Sequence, residues 1–188
     1  MGAHLATEKY LASLIGPAAP TYTVLREGLY SESFPIYTNW FDLRDPGDEV
    51  AIPHDGTGKG VAWVKRDELG EGSARLVARY AEGGDFEYVN RIVLFTGSRS
   101  ISLKETVEVL GRVVGKEVRI REVSVDEYAG FDHQGRHTYH GVDLAREWTT
   151  AWEAIRLGET DVVTPTLREV LGREPEDYET TIRGLLKQ

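Results

Sequence analysis

The sequence predicts an α/β fold with a small parallel sheet, and three observations support this prediction. A helical stretch at residues 4–15 leads through a Gly-Pro turn into a short aromatic and β-branched run at 22–25. Residues 92–95 are continuously apolar, which is typical of a strand covered on both faces. Most segments after residue 102 have helical spacing. This alternation indicates an α/β protein, although only two or three buried strands are convincing.

The opening helix and strand indicate a first candidate site. The apolar residues of the helix share one face, and they are Tyr10, Leu11, Leu14 and Ile15. Gly16, Pro17 and Pro20 end the helix, and the strand at 22–25 follows. Ligands of open α/β sheets bind at the carboxyl ends of the strands. We therefore expect residues 26–30 to lie beside a binding site.

The middle of the chain predicts shorter elements. Residues 36–41 form an amphipathic segment, a short strand covers 50–52, and a second apolar run covers 61–64. Asp67 is placed as an N-cap, so a helix is expected after it. The Gly-Thr-Gly-Lys-Gly run at 56–60 lacks the Ser or Thr that follows the lysine of a phosphate-binding loop. It predicts a hairpin loop instead.

The second half predicts a capped helix, a strand and further helices. Ser102 and Glu105 form a capping box, and the apolar spacing after them ends at Gly115. Residues 118–125 alternate between apolar and charged side chains, as in a half-exposed or edge strand. One long helix is expected over 139–157.

Two helices are predicted near the carboxyl terminus. Thr166 and Glu169 form another capping box, with Gly172 at the end of that helix. Pro175 is placed in the first turn of the last helix.

Composition limits the class of protein. The 188 residues suit one domain, and 40% hydrophobic with 28% charged residues is typical of a globular protein. The net charge of −9 makes nucleic acid and anionic membranes poor partners, and no apolar run approaches the ~18 residues of a membrane span. There is no cysteine, which excludes disulfides and a thiol nucleophile. We expect a cytoplasmic protein, with the nucleus as the alternative, that binds neither nucleic acid nor membrane directly.

Two motifs resemble a known family. The runs H-x-x-T-E-K at 4–9 and Y-T-V-L-R-E-G-L-Y-S-E-S-F at 22–34 are similar to NmrA-like NAD(P)-binding proteins, which are atypical short-chain dehydrogenases. The similarity is to the quinone oxidoreductase and triphenylmethane-reductase types, and it continues more weakly through 91–102 and 164–183. It covers nearly the whole chain but only the carboxyl-terminal half of the family's usual length.

The resemblance implies a more specific fold. It implies a partial Rossmann-like parallel sheet that lacks the N-terminal dinucleotide-binding half with its glycine-rich phosphate loop, together with a helical substrate-side subdomain. Residues 1–188 would form a single NmrA-like domain. Within it, 1–100 would be the residual Rossmann part, and 101–188 would be mainly the substrate-side subdomain and the C-terminal helices.

The resemblance also implies two catalytic candidates on the opening helix. Lys9 matches the family lysine that lies near the cofactor or polarises the substrate carbonyl, and its alternative role is that of a solvated helix lysine. Standard short-chain dehydrogenases carry a tyrosine four residues before this lysine, and Leu5 stands there, so the proton donor is unassigned. His4 matches the family histidine and would move protons near neutral pH, or it would belong to a frayed terminus.

The loop after the first strand supplies the residues that we expect to line the cleft. By resemblance these residues are Arg26, Gly28, Tyr30, Ser31 and Glu32. Tyr30 would stack on a ring or donate its hydroxyl, and simple loop packing is the alternative. Trp148, which lies four residues before Trp152, would face an aromatic ligand or belong to the core.

One histidine cluster has the spacing of metal ligands. It consists of Asp132, His133, His137 and His140. The glycines around it weaken a helix, and the resemblance implies no metal, so we expect no metal site.

The function that the resemblance implies is NAD(P)H-dependent reduction of a quinone or a similar small carbonyl or enone. NADP or NAD would be the cofactor, and the missing half would be needed to bind it. One alternative is a non-enzymatic regulator or interaction module, in which a second copy or another protein binds along the exposed sheet edge. Another alternative is an accessory protein that binds a small molecule in a biosynthetic pathway.

Overall fold

The computed structural model describes residues 2–14, 16–131 and 138–187. The strands are β1 (Thr23–Glu27), β2 (Glu49–Ile52), β3 (Arg91–Phe95), β4 (Arg119–Glu122), β5 (Thr138–Tyr139) and β6 (Val142–Asp143). The helices are α1 (Gly2–Ser13), α2 (Phe34–Tyr37), α3 (Arg66–Ala81), α4 (Leu103–Val114), α5 (Val125–Ala129), α6 (Leu144–Trp148), α7 (Thr150–Arg156), α8 (Thr166–Leu171) and α9 (Tyr178–Leu186). The predicted α/β class is confirmed. None of the described helices is both long enough and apolar enough to cross a membrane.

The first strand pair is parallel, as predicted. β1 and β3 run side by side with Thr23 opposite Arg91 and Glu27 opposite Phe95. One face of this pair packs on α3 and α8, where Val93 and Phe95 are buried.

The opposite face of β3 differs from the prediction. Ile92 is 52% exposed, so β3 is covered on one face only within the described part of the chain. Helix α1 contacts β1 through an ion pair between Glu8 and Arg26 but has no buried residue. Of its predicted apolar stripe, Tyr10 is 64% exposed, Leu11 and Leu14 are half-buried, and Ile15 lies outside the described residues.

The second strand pair is also parallel and builds the larger core. β2 pairs with β4 from Glu49 opposite Arg119 to Ile52 opposite Glu122. The buried side of α4 packs in the same cluster as β2. In β4 the flanking residues are exposed and Ile120 is half-buried, which confirms the predicted half-exposed strand.

The apolar run at 61–64 joins the two halves. Val61 forms an antiparallel bridge with Ile101, and Val64 forms a parallel bridge with Tyr30. A methyl group at Gly97 would collide with the carbonyl oxygen of Trp63. This close backbone approach explains why a residue without a side chain stands after β3.

The ends of the helices show which local sequence signals predicted them correctly. The Ser102 hydroxyl accepts a hydrogen bond from the Glu105 amide at 3.1 Å, and Gly115 ends α4 with a φ of 70°, so the Ser102 cap and the glycine stop are confirmed. The Glu105 carboxylate accepts from Arg99 at 2.6 Å, so the second bond of the predicted capping box is not formed.

The predicted N-cap at Asp67 is wrong, because α3 begins at Arg66 after Lys65. The predicted place of Pro175 in the first turn of the last helix is wrong, because α9 begins after Asp177, whose carboxylate accepts from the Thr180 amide. The predicted capping box of Thr166 and Glu169 is also wrong, because α8 has Pro165 at its N-cap and no side-chain cap.

The long helix predicted over 139–157 is wrong. Tyr139 pairs with Val142 in a hairpin instead, and His140 and Gly141 both have positive φ at its turn. Asp143 then caps α6 by accepting from the Arg146 amide, and α7 follows as a separate short helix. The helical spacing of the tryptophans is real, but the turn and the cap divide the segment.

Candidate functional site

The carboxyl end of β1 is held by backbone hydrogen bonds. The Gly28 amide donates to the Phe95 carbonyl at 2.8 Å, which extends the pairing with β3 by one residue. The Ser31 amide then donates to the Val64 carbonyl at 2.8 Å, and the Val64 amide donates to the Leu29 carbonyl at 3.1 Å. These bonds fix the loop between two segments and direct Tyr30 outwards.

Tyr30 stands at the strand end with its hydroxyl on a carboxylate. The side chain is 37% exposed, and its hydroxyl donates to Glu27 at 3.2 Å. Glu27 also accepts from the Ser73 hydroxyl of α3 at 3.3 Å. Partial burial and the Glu27 charge raise the pKa of Tyr30, so the hydroxyl keeps its proton near neutral pH. The side chain is therefore partly accessible, with its one O–H donor engaged by Glu27.

Ser31 and Glu32 have different environments from Tyr30. Ser31 is completely buried, and its hydroxyl oxygen has no hydrogen-bond partner among the described residues. The Glu32 carboxylate accepts from the Arg66 amide at 3.1 and 3.2 Å, so it caps the amino terminus of α3. Sequence reasoning missed this cap because its two partners lie 34 residues apart.

The two catalytic candidates lie on α1, beside the end of β1. Arg26 donates to both Glu8 oxygens, at 2.7 and 2.5 Å. The hydrogen bond from Arg26 is the main reason that the pKa of Glu8 is lowered, and the charge of His4 lowers it further. His4 and Lys9 are both exposed on this helix. The ion pair therefore holds α1 near the strand end, with His4 close to the Glu8 carboxylate.

Trp148 lies at the end of a row of aromatic rings. Its indole N–H donates to the Ile36 carbonyl at 3.1 Å, and its ring lies 5.7 Å from that of Tyr37. The row continues through Trp63 to Tyr178, with centroid distances of 5.5 and 5.3 Å. Trp148 is 38% exposed, so one side of the ring is accessible. Trp152, by contrast, is completely buried and belongs to the core.

The histidine cluster has only one member in the described part of the chain. Asp132, His133 and His137 lie outside it, and His140 is exposed at the hairpin turn. The described residues contain no grouping of three or more side chains that would hold a metal ion.

Three of the described helix starts do not fit the pyrophosphate of a dinucleotide. The amino terminus of α3 carries the Glu32 carboxylate together with two acidic residues in its first turn. The amino termini of α4 and α9 are capped by Ser102 and Asp177. A phosphate group needs free amides and no competing negative charge at such a site. The starts of α3, α4 and α9 are therefore unsuited to a pyrophosphate group.

The loop at 56–60 is not the predicted hairpin loop, because β2 before it pairs with β4 and Val61 after it bridges Ile101. It does not fit a phosphate either. The Gly56 amide donates to the His54 ring at 2.8 Å, and the Thr57 amide donates to Asp55 at 2.9 Å. The Gly60 amide donates to Asp161 at 3.2 Å. These amides are already used by side chains of the protein.

The comparisons with known proteins identify relatives of this chain. No family model matches. The chain is 36% identical over 186 residues to an NmrA-like family domain-containing oxidoreductase, flvB, of Aspergillus flavus, and the match covers 98% of this chain and 55% of that protein. It is 23% identical over 159 residues to Prestalk A differentiation protein A of Dictyostelium discoideum, covering 85% of this chain and 48% of that protein. The chain thus spans about half the length of the curated relatives that it matches.

Solved structures share the fold. An NADPH-dependent quinone oxidoreductase of Escherichia coli, solved in complex with NADPH, has a TM-score of 0.74 at 20% identity, covering 98% of this chain and 59% of that chain. The triphenylmethane reductase of Citrobacter sp. has a TM-score of 0.72 at 22% identity, covering 100% of this chain and 59% of that chain. The Rossmann-like part of the prediction is confirmed at the level of fold.

Proposed function

Because the chain is a homologue of an NmrA-like oxidoreductase over 98% of its length, we propose that it forms the substrate-side part of a nicotinamide-dependent reductase. The single observation that carries this proposal is that identity of 36%. The geometry adds support, since a proton-donating tyrosine stands at the carboxyl end of a parallel strand.

The proposal gives roles to the residues at the strand end. Tyr30 donates a hydrogen bond to the substrate or to the nicotinamide end of the cofactor, and Lys9 supplies positive charge where negative charge develops. His4 moves a proton. Arg26 and Gly28 line the cleft, Ser31 is buried beneath the loop that carries Tyr30, and Trp148 offers an accessible aromatic face for a flat substrate.

The cofactor is NADP or NAD, and it supplies the reducing hydride. The pyrophosphate site would come from elsewhere, since the starts of α3, α4 and α9 are occupied by Glu32, Ser102 and Asp177. The substrate class is a quinone or a similar small carbonyl or enone. The names of the fold relatives support this choice, since they include a quinone oxidoreductase and a triphenylmethane reductase. The cytoplasmic location stays a prediction from the sequence.

To test the proposal, this chain is combined with the part of a relative that it does not match. The segment of the Aspergillus flavus relative outside the 186 matched residues is produced as a separate polypeptide and mixed with this chain. NADPH and NADH oxidation are then followed with a small quinone, an enone and an aldehyde. We expect turnover from the mixture, and a complex that binds NADPH but reduces none of these acceptors would contradict the proposal.

A matched pair of variants tests the role of Lys9. Lys9→Met should lower kcat/KM by about tenfold or more, because one cation near the reacting centre is removed. Lys187→Met removes an exposed lysine at the other end of the chain and should leave kcat/KM unchanged. Equal kcat/KM values for the two variants would show that Lys9 has no role in the reaction.

A non-enzymatic interaction module is the second candidate, and the unpaired edge of β1 favours it. β1 pairs with β3 alone among the described residues, and such edges bind other chains. A mixture that forms a complex but neither binds NADPH nor turns over any acceptor would favour this candidate over the reductase.

A further inference from the structure

A turn after α2 holds the side chain of Trp40 outwards. Asn39 and Trp40 both have positive φ, at 54° and 61°. Bulky residues rarely adopt this conformation, because it brings the side chain close to the following carbonyl oxygen. The Trp40 amide donates to the Pro35 carbonyl at 2.5 Å, which fixes the turn. The indole is nevertheless 53% exposed, so burial of this ring does not compensate for the strained backbone. Strain of this kind is a reason to look for a ligand beside the residue.

The exposed indole borders an aromatic groove between α2 and the end of α9. The groove has a volume of about 340 Å³, and its lining includes Phe34, Trp40, Phe41, Leu185 and Leu186. Phe34 and Phe41 are 3% and 6% exposed, so the core holds both rings in place. Small-molecule sites have volumes of ~300–1,000 Å³ and are mainly apolar with a few polar groups. The groove therefore suits a small ligand, and none of the residues assigned to the proposed reductase site lines it.

The charges around this aromatic groove favour a cationic ligand. Asp42 lines it, and of its carboxylate oxygens only Oδ1 has a hydrogen-bond partner in the described chain, the Arg44 amide at 2.8 Å. Asp45 and Asp48 follow in the same loop and are exposed. α9 ends beside the groove, and the carboxyl end of a helix carries partial negative charge. Arg44 and Lys187 oppose a cation, but the three carboxylates outnumber them and the whole chain carries a net charge of −9.

We propose that the aromatic groove binds a small organic ammonium ion with an alkylated nitrogen, of the quaternary ammonium class. The face of an indole or phenyl ring attracts a cation within ~6 Å, and tryptophan has the strongest attraction. Trp40 supplies the accessible ring face, Asp42 supplies the opposite charge, and the two leucines of α9 contact the N-alkyl groups. An inorganic cation does not use the apolar wall, and a neutral ligand does not use the carboxylate. Binding requires neither a cofactor nor the proposed reductase activity.

Choline and its neutral carbon isostere, dimethylbutanol, test the role of the positive charge. Each is titrated into the chain alone at low ionic strength, where charge interactions are least screened. NMR spectroscopy follows the indole N–H of Trp40 and the methyl groups of Leu185 and Leu186. We expect choline to shift these signals saturably and to bind about fivefold or more tightly than the alcohol. Equal affinity of the two ligands, or no binding of choline, would overturn the proposal.

Two leucine variants test the indole ring. Trp40→Leu keeps an apolar side chain in the groove but removes the ring, whereas Tyr80→Leu removes a ring of similar exposure, 56%, from α3 outside the groove lining. Binding is followed at the leucine methyl groups of α9. Trp40→Leu should bind choline about fivefold or more weakly than the wild type, and Tyr80→Leu should bind it equally well. The same choline affinity in both variants would contradict the proposed role of the ring.

Two charge variants test the electrostatic argument. Asp42→Asn keeps an oxygen that accepts from the Arg44 amide but removes the negative charge, so it should weaken choline binding. Arg44→Gln removes the opposing positive charge, so it should strengthen choline binding. Changes of opposite sign would support a cation in the groove. Changes of the same sign, or no change in either variant, would speak against it.

Two further probes represent other occupants of the groove. If benzoate shifts the same signals and choline does not, the groove takes an anion held by Arg44. If phosphatidylcholine vesicles broaden these signals and free choline has no effect, the groove takes a lipid headgroup. Either result would refute the assignment to a small ammonium ion.

Discussion

Glu68 shows how one buried carboxylate holds α3 against the chain that leads into α9. It is 4% exposed, accepts a hydrogen bond from the Arg173 guanidinium, and accepts from the Glu176 amide at 2.8 Å. Nearby, the Lys65 ammonium donates to the Glu176 carboxylate at 3.0 Å. The charged groups of this cluster form ion pairs and hydrogen bonds with one another, which indicates a structural role.

We expect Glu68→Gln to destabilise the protein by about 1–3 kcal/mol, the usual range when a buried hydrogen-bonded group loses its partner. Glu71 also accepts from Arg173, at 2.7 Å, but it is partly exposed, so Glu71→Gln should have a much smaller effect. Urea unfolding followed by tryptophan fluorescence measures both. Equal shifts of the two midpoints would show that burial of Glu68 adds nothing.

His54 predicts a pH dependence of stability. The ring is 1% exposed, and its Nδ1 accepts from the Gly56 amide, which requires the neutral form. Burial and the nearby Arg156 charge lower the pKa of His54 below 6.5. Below pH 6.5 the unfolded chain therefore binds a proton that the folded chain does not, and the free energy of unfolding falls as the pH falls through this window.

The variant His54→Asn keeps an oxygen that accepts from the Gly56 amide but does not titrate. We expect it to flatten the stability profile between pH 7 and the folded pKa of His54, measured as the free energy of urea unfolding. The carboxylates whose pKa is lowered, such as Asp161 beside Ser100, lose their contribution only below about pH 4 and do not interfere. An unchanged slope in the variant would exclude His54 as the source.

At the scale of single residues, the sequence predicted the positions of side chains that belong to local motifs. It did not predict positions that depend on residues distant in the chain. Tyr30 was placed correctly at the end of a strand because the strand itself was predicted. The cap that Glu32 provides to α3 joins residues 34 apart, and no local pattern encodes it. Ser31, buried beneath the loop, likewise has no signal in its neighbours.

Among the elements, α1 is the least supported by packing. It has no buried residue, and its described contact with β1 is the surface ion pair between Glu8 and Arg26. Helix propensity alone gives little stability to a segment of this length. The helix nevertheless carries both catalytic candidates, so its order matters more for the proposed activity than for the fold.

A chain that begins at Gly16 should therefore keep the urea midpoint and the near-ultraviolet circular dichroism of the full chain. The matched control removes α9, whose Ile182 is completely buried, and it should lose cooperative unfolding. A large loss of stability on removal of α1 would show that its apolar face is covered in solution.

Elements with local start and stop signals could be predicted, and those divided by tertiary contacts could not. α4 has a side-chain cap, an apolar stripe and a glycine in the left-handed region, so its sequence encodes both ends. The segment at 139–157 has helical spacing too, but the positive φ at Gly141 and the Asp143 cap turn its start into a hairpin. Periodicity alone did not reveal that division.

In the whole molecule, two buried clusters lie on either side of the run at 61–64. The larger one surrounds α4, and the smaller one lies between α3, β3 and α8. The sequence predicted a parallel sheet around β1, and the pair of β1 with β3 is parallel. It did not predict that β2 pairs with β4, because these strands are short and their pairing joins distant residues. β1 and β3 form one two-stranded sheet, β2 and β4 form another, and no other described strand pairs with β1.

Charge and capping at the scale of the whole molecule predict that the isolated chain does not bind NADPH measurably. The cofactor carries negative phosphates, the chain has a net charge of −9, and the described starts of α3, α4 and α9 are occupied by Glu32, Ser102 and Asp177. Isothermal titration calorimetry at low ionic strength, where attraction to any basic site would be strongest, measures this. The control is the same titration after addition of the segment of the Aspergillus flavus relative outside the 186 matched residues, and there we expect saturable binding. Micromolar affinity of the isolated chain would mean that this chain contains a phosphate site after all, and that the added segment is not needed for cofactor binding.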